Sequence, residues 1–209
     1  MKNTNYNRQP SITVNGNHEV WIEWDSIIDK LNQSIHSLAV SQKIIVVETY
    51  QGVIHEEIEE KLKAGLSHDL WINSNQGFKP ESVIREMVYP DVTDDRVFGY
   101  LTRLTMNDFM DDTAIQSLRN EIATQNGTIV VYGPGASLVV EEFNMLVYVD
   151  MARWEIQLRQ RRHEVDNLGL SNRQTEDWML LYKQGFFVDW RVCDRLKKQL
   201  FERWDYVQI

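Results

Sequence analysis

The chain has 209 residues, 43% of them hydrophobic and 25% charged, and carries a formal net charge of -9. That is the composition of one moderate-sized globular domain, and its acidity argues against a general nucleic-acid binder, which presents the opposite sign. No run approaches the about 18–20 apolar residues of a membrane span, the polar start MKNTNYNRQPS lacks a signal core, and a lone Cys193 excludes an internal disulfide or a cysteine-based metal cluster. The expected location is therefore the cytoplasm.

Residues 1–10 read as a disordered tail, and residues 11–40 as a hairpin followed by a helix. In the hairpin, Ile12 to Val14 and Val20 to Ile22 flank Asn15-Gly16, a pair suited to a tight turn. Asp25 is the expected N-cap of a helix carrying Ile27, Ile28, Leu31, Ile35 and Leu38 at helical spacing. Ile44–Val47 is a continuous apolar strand, as in a buried parallel sheet. His55–Leu66 is a helix ending near Gly65, and Asp69–Ile72 a second strand. Pro80 opens the helix PESVIREM, and Asp91–Gly99 is a loop. Asp111–Gln125 is a helix stopped by Asn126-Gly127, followed by the strand Thr128–Tyr132 and the turn Gly133-Pro134-Gly135. Leu146–Val149 is a strand. Ala152–Glu164 and Thr175–Leu200 are helical, the latter broken near Gly185, and Trp204–Val207 is a last strand. This alternation predicts an α/β fold, P-loop NTPase-like, with three α/β/α layers, a mostly parallel sheet and a short N-terminal β-hairpin.

The segment Lys43 to Ile58, KIIVVETYQGVIHEEI, has the strand–loop–helix layout of a P-loop. A working P-loop ends in Gly-Lys-Ser/Thr, because Lys neutralises phosphates and the hydroxyl holds Mg²⁺. With Gly52 as that Gly, the two positions are Val53 and Ile54, and neither supplies the chemistry.

Three segments in order resemble the uridine-kinase branch of P-loop kinases. They are Glu48-Thr-Tyr-Gln-Gly52, then Thr128 to Ala136, then Leu146 to Asp150 continuing through the arginine-bearing stretch Met151 to Arg162. The set Asp94 to Gly99, Gly133 to Leu138, Ala152 to Leu158 and Gly185 to Arg191 is similar to the N-terminal region of bacterial class I mannose-6-phosphate isomerase-type proteins. In that group a kinase-like segment precedes a cupin domain. The resemblance implies that 41–209 is a degenerate kinase-like domain of a longer sugar-phosphate isomerase of carbohydrate metabolism. It implies no cofactor in this segment, with zinc or another divalent metal only in the downstream cupin. The five histidines here have no metal-ligand spacing.

The residues proposed for a phosphate or other ligand fall in four groups, and no catalytic or metal residue is assigned. Thr49, Tyr50 and Gly52 offer backbone N–H groups at a helix start, or form a plain strand-to-helix turn. Gly133, Gly135 and Ser137 follow a buried strand at its C-terminal end, where α/β sheets bind ligands, or form only a tight turn. Arg153, Arg159 and Arg162 are lid-like cations, or a solvated helix face. Asp94, Asp95 and Arg96 are loop residues for hydroxyls or Mg²⁺, or turn chemistry. The leading expectation is a non-catalytic kinase-like module that acts as a scaffold or senses a sugar phosphate or other monophosphate. It would contact its own downstream cupin, with no nucleic acid or membrane partner. The alternatives are a divergent nucleoside or sugar kinase, and a domain–domain or homo-oligomer module. A surviving anion site is expected between the Gly52 and Gly133–Gly135 turns, closed over by Arg159 and Arg162.

Overall fold

β1 (Gln42–Thr49) is apolar on both faces and takes the centre of the sheet. The computed structural model describes residues 7, 10, 11, 13 and 15–208. β1 lies between β3 (Gly127–Gly133) and β4 (Met145–Val149), with β2 (Leu70–Asn73) beyond β3 and β5 (Tyr206–Gln208) beyond β4. Every pairing among these five strands is parallel.

In chain order the helices are α1 (Trp24–Ser37), α2 (His55–Gly65), α3 (Glu81–Val92), the short α4 (Met106–Phe109), α5 (Asp112–Ala123), the short α6 (Ala136–Val139), α7 (Arg153–Arg161), α8 (Trp178–Gln184) and α9 (Trp190–Leu200). They divide by sheet face, as the two-residue period of a strand requires. Ile45 and Val47 meet Leu31 and Ile35 of α1 and Leu62 of α2. Val46 meets a larger core on the opposite face, built from Ile84, Ile115, Leu118, Ile156, Trp190 and Val192. Ile45, Val46 and Val47 are fully buried, and each contributes roughly 1.5–3 kcal/mol by leaving water. The fold is α/β/α around an all-parallel sheet. β1, the turn after it and α2 form a strand–turn–helix unit at the centre of the sheet.

Several expectations change. Ile12 and Val14 lie outside the described residues, as do 1–6, 8 and 9, so the tail and the first hairpin strand fall largely there. Val20 to Ile22 is not a strand, and Val20 and Ile22 are exposed, so the Asn15-Gly16 turn signal does not produce the expected pairing. Asp25 is not the cap of α1. The helix begins at Trp24, Glu23 precedes it at φ 70 without a side-chain cap bond, and Asp25 sits in the first turn. α3 runs on to Val92, past the expected segment. α7 stops at Arg161 because His163 takes φ 55, which ends the helical path. Near Gly185 the long helix is not broken. It passes through a π turn, Gly185–Asp189, where Gly185 lets Gln160 approach: an added Cβ would lie 2.8 Å from its Nε2.

Candidate functional site

The turns after β1 and β3 sit side by side at the C-terminal edge of the sheet, because Glu48 is in register with Gly133. In open α/β sheets this edge holds the ligand crevice. The bonds within each turn settle what it has left to offer.

The first turn is built into the protein from below. Tyr50 N–H donates to Val149 O (2.9 Å) and its hydroxyl to Asp194 Oδ1 (2.8 Å). Buried Gln51 donates to Asp166 O (2.9 Å) and accepts from Trp190 Nε1 (3.0 Å). Gly52 has φ 93, and a Cβ there would lie 2.7 Å from Ile156 Cγ1. Arg159 donates to Gly52 O (2.8 Å) and pairs with Glu155 (3.2 Å). α7 therefore closes down on the turn with an isoleucine and an arginine, and Arg159 is engaged by a carbonyl and by its own helix's Glu155. Val53, in the place of the kinase lysine, is buried.

The second turn is occupied from within. Glu48 is 2% exposed, and its carboxylate accepts from Gly135 N (2.6 Å) and Ser137 N (2.9 Å). Gly135, at φ 72, packs so closely that a Cβ would overlap Met110 Cε. Successive N–H groups in such a turn form an anion nest, and here the chain supplies the anion. Burial pushes the Glu48 carboxyl from 4.5 up to about 7, outweighing the opposing pull of the Ser137 and Gly135 hydrogen bonds. Of the residues expected to meet a ligand here, Gly135 and Ser137 already have their N–H groups bound within the chain. Glu48 stands in the sequence motif without an assigned role. The signal was a carboxylate closing an otherwise apolar buried strand.

The remaining candidates divide. Arg162 is half exposed and pairs with Glu155 (3.0 Å) and Glu164 (2.8 Å), so it faces the rim and not the turns. Arg153 pairs with Asp194 and lies over the Trp190 ring (5.6 Å), buttressing Tyr50 from the α9 side. Asp95 accepts from the N–H groups of Val97 and Phe98 (both 2.7 Å), which is turn chemistry. Asp94, Asp95 and Arg96 belong to a loop that does not line the cleft described next. Thr49 is buried beneath the first turn.

What remains open is a cleft of about 450 Å³ beside both turns, reached by Gly52 and Pro134 but by none of the other candidate ligand residues. Its second wall is the entry to α3, with Lys79, whose Nζ donates to Asp108 O (2.7 Å). Its third wall is the loop 164–173. Asp189, buried in the π turn, shapes that loop by accepting from Asn167 Nδ2 (2.6 Å) and Leu168 N (3.3 Å). Burial raises the Asp189 carboxyl from 3.8 to about 6. Asn167 and Asn172 exchange two further bonds of 3.0 Å. His55 meets Tyr132 Oη at 3.0 Å, and burial lowers its pKa below 6.5. Arg173 bridges Glu56 (2.7 Å) and Asp166 (3.6 Å) across the mouth. The cleft thus has two cations, Lys79 and Arg173, against the carboxylates of Glu56, Glu81, Glu164 and Asp166. Among the described residues no cluster of three or more His, Cys, Asp or Glu is arranged to hold a metal ion, and no helix is long and apolar enough to cross a membrane. Sequence reasoning missed Gln51, Lys79, Asn167, Arg173 and Asp189. Only Arg173 and Lys79 carried a visible signal, as cations flanking predicted elements.

The family model described as "Domain of unknown function (DUF8485)" matches residues 23–208. The chain belongs to this family. Its match takes in α1, all five strands and both turns, so the occupied nest and the neighbouring cleft lie wholly inside the family domain. No curated protein is detectably similar. Among solved structures, a possible uridine kinase from Bacillus stearothermophilus is 11% identical, with a TM-score of 0.44 over 90% of this chain and 100% of that one. A likeness so distant says nothing about chemistry.

Proposed function

We propose that this domain is a non-catalytic, P-loop-like module that binds a small sugar phosphate or other monophosphate in the cleft beside its two turns. One observation carries the non-catalytic part: Val53 and Ile54 stand at the Lys and Ser/Thr positions of the turn after β1. The Glu48 carboxylate, held by the Gly135 and Ser137 amides, supports the same reading because it fills the anion nest of the neighbouring turn. Four carboxylates at the cleft oppose a triphosphate, and like charges this close repel by an amount that grows as water is excluded. The same carboxylates suit the hydroxyls of a sugar. Lys79, at the entry to α3, supplies one cation for one phosphate, and the cleft volume falls in the range of roughly 300–1,000 Å³ typical of small-molecule sites.

Calorimetric titration tests this with mannose 6-phosphate, inorganic phosphate and ATP with Mg²⁺. The expected result is weak, salt-sensitive binding of the monophosphates and none of ATP. Micromolar, Mg²⁺-dependent ATP binding overturns it. The kinase alternative relied on Arg159 and Arg162, and their bonds to Gly52 O, Glu155 and Glu164 weigh against it. A place within a mannose-6-phosphate isomerase-type parent rests on the segment resemblance alone. Isomerisation of mannose 6-phosphate by the full-length natural protein is its test.

A further inference from the structure

A second concavity, of about 410 Å³, lies between α7, α8, the π turn and the loop 96–98, and shares no residue with the cleft. Its lining includes the aromatic side chains of Phe98, Trp178, Tyr182, Phe186 and Phe187 beside the cations Arg96, Arg161 and Lys183. Phe98 is 70% exposed, although its loop is firmly held. Asp95 ties down the Val97 and Phe98 amides, Thr93 Oγ1 donates to Phe98 O (3.1 Å), and Thr102 N donates to Phe187 O (3.0 Å). A loop held by so many bonds has a fixed shape, and this one directs a phenyl ring to solvent at a cost in hydration. The exposed apolar surface continues through Val97, Tyr100 and Leu101.

Two cations at this groove have no carboxylate partner among the described residues. Arg96 reaches the Met179 sulfur (3.8 Å), and Arg161 lies over the Trp178 ring (5.0 Å). Arg191 and Arg195, which also form no ion pair, are instead bound to backbone carbonyls. Lys183 lines the groove as well. Its Nζ is 3.3 Å from Thr93 O and also donates to Asp95 O, and its charge is felt by the nearby Asp95 carboxylate, so this buried cation is not one of the two assigned to a ligand. A planar guanidinium pairs bidentately with carboxylate or phosphate-like oxygens and stacks on aromatic faces, and aromatic faces favour flat rings.

We infer that this groove is a binding site for a planar aromatic anion, a small molecule with a fused or single ring and one carboxylate, sulfonate or phosphate. Phe98, Tyr182 and Trp178 take the ring, and Arg96 and Arg161 take the charge. The site is independent of the cleft, so the fate of one reading does not decide the other.

The probe is anilinonaphthalene sulfonate, titrated into the folded chain by fluorescence, with neutral N-phenylnaphthylamine as its uncharged counterpart. The expected result is saturable binding at one site, weakened about tenfold or more by Arg161→Glu and by Phe98→Ala, and weakened by salt. The neutral probe is expected to bind more weakly. In proton–nitrogen correlation spectra the Trp178 indole N–H, assigned with Trp178→Phe, shifts on addition of the sulfonate. Near-UV circular dichroism verifies that both groove variants stay folded. The proposal is overturned by equal binding of both probes, by affinity unchanged in both variants, or by a Trp178 resonance that does not move. It is also overturned if the chain dimerises in sedimentation and Phe98→Ala abolishes the dimer, which would make the groove an interface between copies.

Discussion

Replacing Glu48 by glutamine removes one acceptor and one titrating group, and the second loss is readable as a pH dependence. The Glu48 carboxyl is raised from 4.5 to about 7 by burial. Between those values the folded protein holds a proton that the unfolded chain has released, so unfolding becomes easier as pH rises through this window and levels off above about 7. At ~1.36 kcal/mol per unit, the group's contribution falls by roughly 3 kcal/mol from pH 5 to pH 8. The amide side chain introduced by Glu48→Gln does not titrate, but its single oxygen can accept from only one of the Gly135 and Ser137 N–H groups, and its NH2 faces the other as a second donor. Glu48→Gln is therefore expected to be less stable than wild type near pH 5, by the about 1–3 kcal/mol of one unsatisfied buried group. That deficit should shrink by roughly 2–3 kcal/mol between pH 5 and pH 8, because only the wild type carries the titrating carboxyl. Urea unfolding at intervals from pH 5 to pH 8 measures the difference directly. His55, with its lowered pKa, and Asp189, with its raised one, titrate in both proteins and cancel in that difference. A difference constant with pH, or a wild type that gains on the variant above pH 7, refutes the reasoning. It would mean that the two amides hold the carboxylate ionised throughout.

Ile156→Ala, which empties the fully buried contact above Gly52, is expected to cost about 2–5 kcal/mol in thermal or urea unfolding. Its amide-exchange protection should fall first in the first turn; a loss below about 1 kcal/mol would mean that α7 does not hold the turn. Asp189→Ala leaves the Leu168 amide and one Asn167 bond without their acceptor in the interior, and is expected to cost about 2–3 kcal/mol. Its amide spectrum should change most in 164–173, and an unperturbed loop would contradict the role given to Asp189.

The strands were legible because a buried parallel strand announces itself as an unbroken apolar run, and Ile44–Val47, Thr128–Tyr132 and Leu146–Val149 all do. α2 and α5 were legible from spacing and from the glycines that stop them. The order β2-β3-β1-β4-β5 was not, since pairing partners are chosen by tertiary packing. The candidate site was half legible. The Gly52 and Gly133–Gly135 turns do lie together, as their positions at the ends of apolar strands implied. Their occupancy was hidden, because Glu48 reaches amides in a distant part of the sequence and a carboxylate next to a degenerate P-loop reads as ordinary strand-end polarity. The arginines misled for a related reason. Arg159 and Arg162 share a helical face, but the Gly52 carbonyl and two glutamates absorb them, and spacing does not show an acceptor. The hairpin reading fails at its second strand, where Val20 and Ile22 are exposed and cover no apolar surface.

The position of β1 also has a consequence for how the protein is made. Its residue Ile45 pairs with Val130 on one side and Met145 on the other, so the first strand of the sheet to leave the ribosome waits for partners far along the chain. Synthesis at about 5–20 residues per second leaves its backbone groups and the apolar faces of Ile45, Val46 and Val47 unsheathed for several seconds or more. Contacts this far apart in sequence make folding slow, and little of the domain can form before β4 has been synthesised. A central strand of the finished sheet, covered on both sides, is thus one exposed to mispairing while it is born.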